Sequence, residues 1–176
     1  MIETPRLILR AWREEDREPF AALNGDPRVG EWLGGIRSRA ECDAALDRFN
    51  AAMAAHGYGY WAAERKSDAR LIGLIGLGRF QPNETPLGET LEMAWRLAPE
   101  AWGQGLASEG AAAALAWARA NLDEEILAVT ARSNLRSQAV MRRIGMVAQP
   151  WRDFDHPKLP AGHPLRPHVV FAAPRP

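Results

Sequence analysis

Pro99-Glu100-Ala101-Trp102-Gly103-Gln104-Gly105-Leu106-Ala107-Ser108-Glu109 is the stretch that decides the fold. A strand-like run, Leu91 to Leu97, leads into it, and an alanine-rich run from Gly110 to Asn121 reads as a helix after it. Glycines at 103 and 105 let the backbone turn sharply and come close to a ligand. A helix opening there points unpaired N–H groups and a partial positive charge at the same spot. That combination makes an anion site, suited to a phosphate or pyrophosphate. No lysine or arginine lies between Arg96 and Arg119, so backbone amides have to do the cradling. The competing reading is an ordinary strand-to-helix connection, where glycine is common. Gly103, Gly105 and Ser108 follow a degraded dinucleotide fingerprint. A nicotinamide site usually has an acid at the end of the next strand, which here reads Val129-Thr130-Ala131-Arg132. The Walker pattern is absent as well, since no Gly-Lys-Ser/Thr occurs.

Working outward, Arg6 to Trp12 alternates as a first strand, and Glu14 to Asn24 reads as a helix with acids in its first turn. Asp26-Pro27 caps a short second helical turn. Ser38-Arg39-Ala40-Glu41 is a capping box for a helix expected to end near His56, with Gly57 just past its end. Three antiparallel strands are expected next: Tyr58 to Arg65, Leu71 to Phe80 and Glu89 to Ala98, with a loop over residues 81–86 before the third. Beyond the glycine turn come a strand at Ile126 to Ala131 and a helix from Asn134 to Ile144 closed by Gly145. Strands are also expected at Met146 to Trp151 and His168 to Ala172. The order predicts a single α+β domain over 1–176, three layers deep, on a mixed sheet of six or seven strands.

Composition narrows the function. The chain of 176 residues has 22 basic and 22 acidic side chains, so no gross charge draws it to nucleic acid or an anionic membrane. No apolar stretch approaches spanning length, and the first residues lack a signal pattern, so a cytoplasmic protein is the expectation. One cysteine, Cys42, leaves no CxxC pair for metal or redox work, and no metal site is expected. Asn134 is a good N-cap and Ser137 falls at the third helical position, so capping by itself accounts for both.

Taken together, these motifs resemble the GCN5-related N-acetyltransferase (GNAT) family, and within it the branch of ribosomal-protein N-terminal acetyltransferases. Thr4-Pro5-Arg6-Leu7-Ile8-Leu9-Arg10 is similar to the opening strand of that branch. Leu91 to Glu109 resembles its acetyl-CoA motif, and Asn134-x-x-Ser137 followed by Ile144-Gly145-Met146 resembles its second motif. The resemblance implies acetyl-CoA as co-substrate and acetyl transfer to an amine. It implies that the pyrophosphate lies on the amides of Gly103, Gln104, Gly105, Leu106, Ala107 and Ser108, with Trp102 beside them among the cofactor-binding residues. The pantetheine arm would add to the strand end at Trp95, Arg96 and Leu97, which splays from its neighbour, and Asn134 would contact that arm. Ser137 would lie near the thioester sulfur. Trp102 departs from the Gln or Arg common in the family, a change that an amide cradle tolerates.

Acetyl transfer needs a deprotonated amine and a proton for the departing thiolate. Glu92 is the candidate base, since apolar Leu91 and Met93 put it on the opposite face of the strand; Glu89 is the rival. Many relatives use a tyrosine as acid near Ser137, but no tyrosine follows Tyr60, which leaves Ser137 or water. The acceptor is a protein N-terminus or a small amine such as an amino acid, polyamine or aminoglycoside; a strongly acidic cleft would favour the last two. A non-catalytic acyl-CoA sensor is the other alternative. The Pro- and His-rich segment 153–168 reads as a connection bordering the acceptor cleft, with His156 and His163 as proton carriers or as solvated loop residues. Trp32, Tyr58 and Tyr60 are candidates for the same cleft, against a plain core role. Edge strands in this family often mediate dimers, so a homodimer stays open.

Overall fold

The structure is a computed structural model that describes residues 1–81 and 83–174. Pro82, within the expected 81–86 loop, and residues 175–176 of the expected domain lie outside the described residues. The chain opens with strands β1 (Ile2–Glu3) and β2 (Leu7–Arg10). After a 3-10 turn at Glu14–Asp16 come helices α1 (Arg17–Gly25), α2 (Pro27–Gly30) and α3 (Arg39–His56). Strands β3 (Tyr60–Arg65), β4 (Arg70–Arg79) and β5 (Leu91–Leu97) form a meander. Helix α4 (Leu106–Asn121), strand β6 (Ile126–Ala131) and helix α5 (Leu135–Arg143) follow. The last strands are β7 (Val147–Ala148), β8 (Phe154–Asp155) and β9 (Pro167–Ala172).

Local chemistry explains the boundaries. Ser38 accepts from the Glu41 amide while Glu41 reaches back to the Ser38 amide, and Gly57 ends α3 at φ 75°. Asp26 accepts from the Arg28 amide ahead of Pro27, which starts α2. Asn134 accepts from the Ser137 amide at 3.1 Å and starts α5. The expected strand at 146–151 is only two residues long, because Pro150 opens a 3-10 turn over Pro150–Arg152.

The sheet runs β1-β2-β3-β4-β5-β6-β9-β7, with β8 on β9. It is antiparallel except between β5 and β6. Among the described residues it has nine strands rather than six or seven, because β1 and β8 are two-residue ladders with no periodicity to read. The expected 153–168 connection is in part a hairpin, with Phe154 opposite His168. Helix α4 covers one face, where its Ala111, Ala114, Leu115 and Ala118 pack with Leu7, Ile75, Leu91 and Met93. The opposite face packs Ala62 and Leu74 under Phe20 of α1 and Cys42 and Leu46 of α3. Each large apolar side chain so buried contributes about 1.5–3 kcal/mol. Helices therefore lie on both faces of a mixed sheet, the expected α+β three-layer arrangement. Arg10 ties β2 to this second face through Glu64 and Asp16, both at 2.6 Å. Breaking such a buried network by removing one partner costs about 3–5 kcal/mol.

Candidate active site

The site opens where the sheet comes apart. Strand β5 pairs with β6 only at Leu91 with Ile126 and Glu92 with Leu127. Beyond Glu92 the two parallel strands diverge, as expected of the splayed pair. The gap leads into one cleft of about 1490 Å³. That exceeds the roughly 300–1,000 Å³ of a single small-ligand site and leaves room for two substrates.

One end of the cleft is the glycine turn. Gly103 and Gly105 sit at φ 74° and 76°, values a side chain makes costly. Gly105 precedes α4, whose N-terminus has no side-chain cap. Ser108, on the first turn, buries its hydroxyl without a hydrogen-bond partner. Such an orphan costs about 1–3 kcal/mol until something accepts from it or donates to it. Uncapped amides, an orphan hydroxyl and an exposed glycine turn together fit the pyrophosphate of coenzyme A. Trp102 donates its indole N–H to the Leu97 carbonyl at 2.8 Å, which closes the strand end onto the turn. Gln104 turns its side chain to the Glu100 carbonyl, outside the cleft lining. Trp95, Arg96, Leu97, Trp102, Gly103, Gly105, Leu106, Ala107, Ser108 and Asn134 all line the cleft.

Two cations missed in the sequence reach this end from elsewhere. Arg136 of α5 lies 5.4 Å from the Trp102 ring centre. Arg6 donates to the Gln104 carbonyl at 2.9 Å and pairs with Glu109 at 2.6 Å. Glu109 also accepts from Thr4 and from the Arg6 amide, so it clamps the chain's first residues to α4.

The other end is built from side chains on the opposite face of β5. Leu91 and Met93 are in the core, while Glu92, Ala94 and Arg96 line the cleft. Tyr60 of β3 donates its hydroxyl to Glu92 at 2.9 Å. This bond spans the intervening strand because Gly78 of β4, paired with Glu92, has no side chain; a Cβ there would collide with the Tyr60 ring. Burial pushes the Glu92 carboxyl up to about 7, against the Tyr60 hydrogen bond and with a further push from Glu84. Burial, then the Glu92 charge, holds the Tyr60 phenol well above its ordinary range. Glu89 is exposed and off the cleft lining. Ser137 lines the cleft on α5.

His156 and His168 face each other at 4.9 Å on the cleft wall, both held below the usual histidine range, first by burial. His163 is outside the lining, its ring accepting from the Leu165 amide. Trp32 and Tyr60 line the cleft, whereas Tyr58 packs in the core. Among the described residues no cluster of His, Cys, Asp and Glu could hold a metal ion, and no helix is long and apolar enough to cross a membrane.

Comparison with known proteins agrees with this architecture. An FsC-acetyl coenzyme A-N(2)-transacetylase of Aspergillus fumigatus is 29% identical over 152 residues, 82% of this chain and 64% of the relative. The chain spans less than two thirds of the length of the curated relatives it matches. An acetyltransferase of the GNAT family from Bacillus anthracis superposes with a TM-score of 0.79 at 21% identity, covering 97% of this chain and 96% of that one. A ribosomal-protein-S5-alanine acetyltransferase from Vibrio fischeri superposes with a TM-score of 0.77 at 13% identity, covering 98% and 95%. Those two likenesses speak to the fold. The family model described as the acetyltransferase (GNAT) domain matches residues 6–147, and the chain belongs to that family.

Proposed function

We propose that the protein transfers the acetyl group of acetyl-CoA to a primary amine by direct attack of the deprotonated amine. The observation that carries this reading is the position of Glu92. It is the last residue of β5 still paired with β6, so a half-buried carboxylate pushed up to about 7 sits where the two strands part. A base with that poise is half ionised near neutral pH and takes a proton efficiently from an ammonium. Bound acetyl-CoA supplies the activated acyl thioester. The amides at 103–108 and the Ser108 hydroxyl hold its pyrophosphate, and the main chain of Trp95 to Leu97 takes its pantetheine arm with Asn134 alongside. Tyr60 donates to the Glu92 carboxylate and steadies its anionic form, and Glu92 then takes the proton from the ammonium, directly or through one water, leaving a neutral amine. The amine nitrogen bonds to the acyl carbon, the carbon–sulfur bond breaks, and the proton that the nitrogen then sheds reaches the departing thiolate, relayed by Ser137 or water.

The test follows free thiol release from acetyl-CoA across a panel of peptides and small amines. Turnover with an amine, together with thermal stabilisation by coenzyme A, supports the reading. Stabilisation without turnover on any amine points to the acyl-CoA sensor instead. Absence of stabilisation contradicts the whole reading.

A further inference from the structure

Arg96 is the charged group on the acceptor side that the transfer chemistry leaves without work. It shares a face of β5 with Glu92, separated by Ala94, whose small side chain leaves the floor between them open. One of its nitrogens donates to the Asn24 side-chain carbonyl of α1. Asn24 is fully buried and is itself held by the Phe20 carbonyl at 2.7 Å, so the guanidinium is fixed from behind. Among the described residues, no carboxylate pairs with Arg96 and its other nitrogens have no protein partner. Burial, then the charge of Arg37, disfavours the Arg96 cation. This half-buried guanidinium, with no counter-ion and its free nitrogens open to the cleft, is a ready partner for a ligand carboxylate.

The surroundings agree in sign. Arg37 stands close enough to bear on Arg96, Arg48 also lines the cleft, and the acids in the lining are engaged elsewhere. Glu41 accepts from Ser38 to cap α3 and approaches Arg37 only to 4.0 Å. Glu84 is tied to Lys158 at 2.7 Å, and burial keeps Glu92 neutral about half the time near pH 7. The acceptor wall is thus cationic, not the strongly acidic cleft that a polyamine or aminoglycoside calls for.

We infer that the acceptor is an amine that also carries a carboxylate, an amino acid or short peptide, with the carboxylate bound by Arg96 while the amine lies beside Glu92. Glu92 and Arg96 are four residues apart on one strand, about 13 Å between their Cα atoms. The side chains close part of that span, so the carboxylate stands several bonds from the reacting nitrogen. A planar guanidinium held by Asn24 offers the remaining donors in the fork that matches a carboxylate.

This inference rests on the acetyltransferase reading, and its test separates the two. Thiol release is measured for matched acceptors: α-amino acids, dipeptides, γ-aminobutyrate and 6-aminohexanoate, each beside its amide, with spermidine as a polycation. The expected result is a kcat/KM for the best carboxylate acceptor roughly 10- to 100-fold above that of its amide, the size of a charge-assisted hydrogen bond. In Arg96→Gln that preference collapses, mainly through KM of the carboxylate acceptor, and Arg96→Lys restores part of it. Melting temperatures with and without coenzyme A show whether each variant is folded. Should Arg96→Gln not fold, the wild-type ratio alone decides. Amides or spermidine turned over as well as the carboxylates overturn this inference and leave the acetyltransferase reading standing. No turnover on any amine overturns both.

Discussion

At the start of α4 the cleft presents main chain: two glycines at positive φ, an uncapped helix N-terminus and one buried hydroxyl. Across β5 it presents side chains: Glu92 held by Tyr60, Arg96 held by Asn24, and a pair of histidines. Under the proposed function, the first end recognises what every donor shares, an anionic pyrophosphate, through the backbone path rather than through particular side chains. The second end is the one that would discriminate on the same reading, because its groups are paired across different elements and each depends on its partner. The proposed function thus has a common donor served by geometry, and a particular acceptor by chemistry.

Substitutions separate the two ends by which kinetic constant they move. Glu92→Gln has the largest expected effect, a fall in kcat of about 100-fold or more at saturating acetyl-CoA and pH 7.5, the usual contribution of a general base. Its loss narrows at high pH, where the amine deprotonates unaided; steady-state rates between pH 6 and 10 read this directly. Gly105→Ala strains a backbone at φ 76° and raises KM for acetyl-CoA about tenfold, with little change in kcat. A kcat defect there would blur the division between the ends. Tyr60→Phe removes a donor that favours the Glu92 anion, so the carboxyl moves further up. Because the base works deprotonated, the rising limb of the kcat/KM profile shifts to higher pH, while KM for acetyl-CoA stays put. Arg136→Ala is the smallest, a rise of about two- to fivefold in KM for acetyl-CoA that fades in high salt, as expected for one partly exposed cation.

The glycine turn and the helix after it were largely legible in the sequence because their signals are local. Glycine at 103 and 105 is what a left-handed turn requires, and an adjacent helix follows from the alanine run. The facing of Glu92 was legible from its apolar neighbours Leu91 and Met93. Its partnership with Tyr60 was not, since it depends on the register of three strands and on the missing side chain of Gly78. Arg6 and Arg136 approach the glycine turn from distant parts of the chain, so a local search for cations passes over them. The ladders at β1 and β8 are two residues long and leave no alternation to detect.

The contrast between the ends turns on a half-buried carboxylate at the mouth of the splayed strands. Titration of the glutamate side-chain carboxyls by carbon-13 NMR, with Glu92→Gln to assign the resonance, measures the ionisation of that carboxylate without any acceptor. The expected midpoint for Glu92 is about 7. A midpoint in the ordinary carboxylate range, roughly 4.3, would contradict its role as the base.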